Sequence, residues 1–193
     1  MEGTCWRPDT RLGGTCGWDG SGFGRAGGHL GRARSSAAAL GFHWDERAVD
    51  RALAGISDPA PQRVRLTIGR AGDVEVASAP LAGAPAAWRL MIAPERLDPD
   101  DPRLAHKTTE RGLYDRTRAA LPAGIDEALF LNTRGEVAEG TISTFFFDIG
   151  DGLMTPPLAS GCLPGILRGE MLATGRAREA VLDRADLPRA RLW

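Results

Sequence analysis

The sequence predicts an α+β fold in two sub-domains, and three observations point there. Segments that alternate apolar and polar residues pair into hairpins, and these outnumber the helical patterns. That mixture differs from the regular strand–helix rhythm of a doubly wound parallel sheet. Pro94 to Pro102 contains three prolines and several acids, which marks a boundary. The division is residues 1–93, a linker at 94–102, and residues 103–193; a chain of 193 residues has room for two small sub-domains.

Each element has a local reason. Residues 1–28 are glycine-rich, so Gly13–Trp18 reads as an edge strand with little side-chain packing, followed by a hairpin turn through Phe23. Leu30, Ala33, Ala37 and Leu40 recur at helical spacing, and Gly41 stops the helix. Asp45 is the N-cap of a second helix with Val49, Leu53 and Ile56 on one face, ended by Pro59 and Pro61. Arg63–Ile68 and Val74–Ala77 flank a turn at Arg70–Asp73, a β-hairpin. Leu81–Pro85 is a loop of small residues, and Trp88–Ile92 is a strand.

In the second half, Thr108 or Thr109 caps a helix through Leu121, and Pro122-Ala123-Gly124 ends it. Ala128–Leu131 is a buried strand, Asn132–Gly135 a turn, and Val137 begins the return strand. Thr144–Phe147 is apolar enough for a central strand. After a turn at Asp148–Gly152 come a short strand, Leu153–Thr155, and a helix from Leu163 to Thr174. Glu179–Leu182 is a last strand and Asp183–Arg191 a helical turn.

Composition excludes several classes. Basic and acidic residues number 24 and 25, a net charge of −1, which provides no field to gather nucleic acid or an anionic membrane. No apolar run is long enough for a membrane span, and the first residues carry neither a basic region nor an apolar stretch. Cys5, Cys16 and Cys162 are isolated, so they build neither a disulfide framework nor a metal knuckle. His29, His43 and His106 are too far apart for a zinc cluster and read as surface or capping residues. Gly22–Gly27 spells GxGxxG without an apolar strand before it, a chance match. The expectation is a cytoplasmic protein with no metal.

The chemistry-bearing residues are few. Lys107 is the only lysine, and the other 23 basic residues are arginines. A coding bias explains such a ratio without function, yet only a lysine amine can lose its proton and attack a carbonyl. At the start of a helix, its protonated form would also oppose the helix dipole. Glu139 lies in Val137–Ile142 beside an apolar strand and, if buried, needs a cationic or donor partner. Gly161–Arg168 presents a loop and a helix N-terminus, an anion site built of backbone N–H groups. An amine, a carboxylate and an anion nest are what pyridoxal phosphate requires. A surface lysine, a solvated glutamate and an ordinary helix start are the alternative.

Three ordered motifs carry a resemblance. They are His106–Thr109 with Tyr114-Asp115, then Leu131–Ser143, then Thr155–Leu158 with Gly161–Arg168. With them the chain resembles the class IV aminotransferases, pyridoxal phosphate enzymes of fold type IV, from about Leu12 to the C-terminus. The resemblance implies two α/β sub-domains with the cofactor between them, in a homodimer. By it Lys107 is the Schiff-base lysine and Glu139 the partner of the pyridine nitrogen. Arg32 binds the phosphate, joined by the backbone of Ile166 and Leu167.

Departures accompany it. Gly13-Gly14-Thr15-Cys16-Gly17-Trp18 stands where members carry a strand of the type Phe-Glu-Thr-Leu-Arg-Trp. The chain stops at Trp193, where members continue with a strand and a phosphate-binding loop, so the C-terminus reads as truncated and Glu179–Leu182 is expected to lack its neighbour. The activity implied is an aminodeoxychorismate lyase, giving 4-aminobenzoate and pyruvate from a small amine substrate. A branched-chain or D-amino acid transaminase, or a non-catalytic remnant, is the alternative.

Overall fold

The computed structural model describes residues 6–83 and 85–193, so Cys5 lies outside the described residues. The chain forms two compact units, Met1–Ala84 with His106–Glu110, and Pro85–Ala105 with Arg111–Trp193. The fold is mixed α+β, with a sheet in the first unit and two in the second.

In the first unit β1 (Leu12–Trp18), β2 (Gln62–Ile68) and β3 (Val74–Pro80) form an antiparallel sheet in that order. β2 buries Val64, Leu66 and Ile68, as its alternation dictates. Helix α1 (Ala26–Leu40) and helix α2 (Glu46–Ala54) supply Ala33, Ala37 and Val49, which pack with Leu12, Phe42, Leu66 and Ile68. Asp45 caps α2, its carboxylate accepting from the Ala48 N–H at 3.0 Å. β1 is an edge strand of glycines, and the segment 106–110 lies along it. Gly13 N–H donates to the Lys107 carbonyl at 2.7 Å, and Thr109 N–H to the Arg11 carbonyl at 2.9 Å.

That pairing corrects the helix start. The helix α3 runs only over Gly112–Ala119, and Lys107 lies on extended chain before it. The Thr109 hydroxyl, free in sequence terms to cap a helix, accepts instead from the Arg11 N–H at 2.9 Å. Lys107 is therefore not at the helix start its sequence position suggested.

In the second unit β4 (Leu90–Leu97) pairs in parallel with β5 (Glu127–Asn132), with α3 between them in sequence. β6 (Val137–Gly140) returns antiparallel to β5. β4 continues to Leu97, through the first part of the segment 94–102. Its register shifts between Ile92 and Arg96, around Pro94, which lacks the N–H a ladder needs and so produces a bulge rather than an end.

A second sheet joins β7 (Phe147–Asp148), β8 (Met154–Thr155), β9 (Arg178–Glu179) and β10 (Arg191–Leu192) in the order β10-β7-β8-β9. Only Phe147 of the expected 144–147 strand enters this ladder. Phe146 exchanges both backbone hydrogen bonds with Trp193, each 2.9 Å. The segment expected to stand alone at 179–182 has neighbours: Ala180 N–H donates to Thr155 and the Leu182 carbonyl accepts from Val137 N–H. Helix α4 (Ile166–Ala173) is shorter at its start than the apolar pattern suggested, because Gly165 is its extended N-cap.

Candidate active site

The sequence-predicted residues divide between the units. Lys107 and Arg32 belong to the first; Glu139, Ile166 and Leu167 belong to the second.

In the first unit the Lys107 backbone is fixed against β1, and its Cγ lies 3.7 Å from where a Cβ on Gly13 would stand. Its neighbour His106 is anchored by a 2.9 Å hydrogen bond between Nδ1 and the Ser36 hydroxyl on α1. Arg32 lies one turn beyond His29 on α1, so the two share a face. Burial, and then the charges of Arg32, Lys107 and Arg25, hold the His29 imidazole down to about 4. His29 is therefore neutral at physiological pH, and its buried Nδ1 has no hydrogen-bond partner among the described residues. Sequence reading took His29 for a surface or capping residue; its spacing of three from Arg32 was the available signal.

In the second unit Glu139 is buried on β6. The Tyr114 hydroxyl on α3 donates to Oε1 at 2.6 Å, and the Leu163 N–H donates to Oε2 at 2.9 Å. Glu139 is thereby tied to the loop that leads into α4, and so to the helix that begins with Ile166 and Leu167. Among the described residues no side chain caps that helix, and an uncapped helix start presents N–H groups of the kind that bind anions. Arg168 is buried and reaches back to the Pro156 carbonyl, with Nη2 at 2.9 Å, and to Glu179, which locks α4 onto the Pro156-Pro157 turn.

Two further residues support this half, and sequence reading gave neither a role. Tyr114 has its ring edge-to-face on Phe130, 5.2 Å between centroids, with the Arg111 guanidinium 4.8 Å from its own ring centre. Its being the only tyrosine was a usable signal. Glu127 is buried and accepts from the Thr141 N–H at 3.0 Å, the Ile142 N–H at 3.2 Å and the Ser143 hydroxyl at 3.0 Å. It fixes the turn that follows Glu139, and nothing in Asp126-Glu127 distinguishes it from a solvated pair.

Comparison with known proteins shows the family. The amino-transferase class IV family matches residues 16–191. A Mesorhizobium loti structure assigned as an amino-acid aminotransferase is 41% identical, with a TM-score of 0.87, covering 95% of this chain and 93% of its own. A Schizosaccharomyces pombe protein assigned as an aminodeoxychorismate lyase is 32% identical over 160 residues, 78% of this chain and 68% of that protein. A Mycobacterium tuberculosis structure described as a hypothetical aminotransferase, in its pyridoxal phosphate-bound form, is 20% identical with a TM-score of 0.78. It covers 100% of this chain and 82% of its own, and shares the fold. The chain belongs to the class IV aminotransferases, the fold type IV family of pyridoxal phosphate-dependent transaminases and lyases.

Proposed function

We propose that the chain is an amino-acid aminotransferase acting through Lys107. The observation that carries this reading is the 41% identity, across 95% of the chain, to the Mesorhizobium loti amino-acid aminotransferase. The donor set fits pyridoxal phosphate: a single lysine amine, a buried carboxylate held by two donors, and peptide N–H groups at an uncapped helix start. The bound cofactor supplies an aldehyde for amines and a ring that draws off negative charge.

Lys107 would hold that aldehyde through Nζ, and the same amine would move the proton at the substrate Cα. Glu139 would accept from the N–H of the ring nitrogen and keep it protonated. Arg32 and the backbone N–H groups of Ile166 and Leu167 would hold the phosphate. A neutral His29 beside Arg32 leaves the guanidinium as the charged partner on that face of α1.

A second reading, an aminodeoxychorismate lyase, is favoured by the Schizosaccharomyces pombe relative. Product analysis separates them. Amino acids with 2-oxoglutarate are expected to yield keto acids and glutamate; pyruvate and 4-aminobenzoate from aminodeoxychorismate, with no keto-acid exchange, would assign the lyase. Borohydride reduction with peptide mapping is expected to find the cofactor on Lys107. Lys107→Arg is expected to abolish both the adduct and turnover while the far-UV spectrum is unchanged. An adduct on any other group overturns the assignment.

A further inference from the structure

Tyr114 is the one tyrosine of the sequence. Its ring contacts are those any aromatic residue would make: an edge-to-face pair with Phe130 and the overlying Arg111 guanidinium. A phenylalanine would satisfy them. The hydroxyl is the part that packing does not explain, and it donates to a buried carboxylate at 2.6 Å, the length of a charge-assisted hydrogen bond. Burial first, and the Glu139 charge second, push the phenol well above its ordinary value, so Tyr114 keeps its proton and is the donor in this bond.

The second donor completes the geometry. Leu163 N–H meets Oε2 at 2.9 Å, so each carboxylate oxygen has a donor, and these two come from different elements. Two donors on opposite oxygens fix the rotation of the carboxylate plane about its last bond. Arg111 ties the same brace to the backbone, because its guanidinium also donates to the Thr141 carbonyl, two residues after Glu139.

We propose that Tyr114 is a positioning residue whose hydroxyl orients Glu139 toward the ring nitrogen of pyridoxal phosphate. This rests on the role given to Glu139 above. Tyr114 itself acts through Glu139 and is assigned no contact with the substrate.

Tyr114→Phe tests it by removing one oxygen. Titration with pyridoxal 5′-phosphate, followed by protein fluorescence, is expected to show cofactor binding weakened by about tenfold, as for a lost hydrogen bond to a charge. The absorption band of the bound cofactor is expected to shift, and kcat to fall while KM for the amino donor holds. In a Glu139→Gln background the same change is expected to have no further effect, because the two side chains act as a unit. Biosynthetic replacement of tyrosine by 3-fluorotyrosine alters this chain at one side chain only. The more acidic phenol is expected to move the band in the opposite direction, and it serves even where Tyr114→Phe folds poorly.

A band and affinity unmoved by both replacements overturn the proposal. So does equal weakening by Tyr114→Phe whether position 139 carries the native glutamate or the Glu139→Gln substitution, which would make Tyr114 a packing residue. If Glu139→Gln alone changes neither affinity nor band, the role of Glu139 has failed, and the proposal falls for that traceable reason.

Discussion

Glu127 and Glu139 are buried acids on neighbouring strands of one sheet, yet they are held in different ways. Glu127 accepts from the Ala128 N–H, from both the N–H and hydroxyl of Thr141, from the Ile142 N–H and from the Ser143 hydroxyl, with Arg118 at 3.6 Å. Apart from Ala128 and Arg118, these donors come from one short turn, and they use the acceptor capacity of a carboxylate, about four positions, in full. Glu139 draws donors from α3 and from the loop before α4, which lie 25 and 24 residues away in sequence. Burial alone does not distinguish a structural carboxylate from a chemical one. The origin of the donors differs: the Glu127 set closes a turn, whereas the Glu139 set ties separate elements together, as the role proposed for Glu139 requires.

Substitution sharpens the contrast, and the largest effect belongs to Glu139. Glu139→Gln retains an oxygen acceptor but cannot compensate a ring cation. Its kcat is expected to fall by about two to three orders of magnitude, with little change in melting temperature. Steady-state kinetics beside a thermal melt would break the comparison if both moved together.

Glu127→Ala reverses the pattern. It leaves the Thr141 hydroxyl and the Ile142 N–H without the acceptor they share, so a stability loss of about 3 kcal/mol is expected from unsatisfied donors. Denaturant unfolding reads this directly, and activity of the remaining folded fraction at low temperature should be close to normal.

A third acid, Glu136, marks the surface end of the series. The Arg134 guanidinium beside it, aided by Asn132 and Ser160 and opposed by burial, holds its carboxyl at about 2 against the ordinary 4.5. A depressed folded value stabilises the ionised form. The contribution is complete above pH 4.5 and is lost as the pH falls toward 2. Arg134→Ala is therefore expected to lower the melting temperature by a few degrees at neutral pH, for a surface ion pair of about 1 kcal/mol. The deficit should shrink on acidification through that window; a constant deficit would remove Glu136 from the comparison.

Much of this fold was legible because its causes are local. Asp45 caps the helix its sequence announces, and the β2–β3 hairpin follows its period-two pattern. The glycine-rich β1 reads as the edge strand it is. What escaped depends on partners distant in the chain. Thr109 looks like a helix cap until Arg11 claims its hydroxyl, and Pro94 looks like the end of a strand until β5 carries the ladder past it. In the site, Lys107 and Glu139 stand out by residue type and motif. Tyr114 and Glu127 matter through what they hold, Glu139 and the turn after it, and no spacing along the chain encodes either.

Cys162 immediately precedes Leu163, whose N–H holds Glu139. It is 6% exposed, its Sγ lies 3.6 Å from the Pro157 carbonyl, and burial pushes its thiol up to about 11. Such a sulfur is shielded from alkylating reagents, which react with an exposed thiolate. Its labelling rate is therefore a clock on how often this loop lifts, and hence on how long the carboxylate stays clasped between excursions.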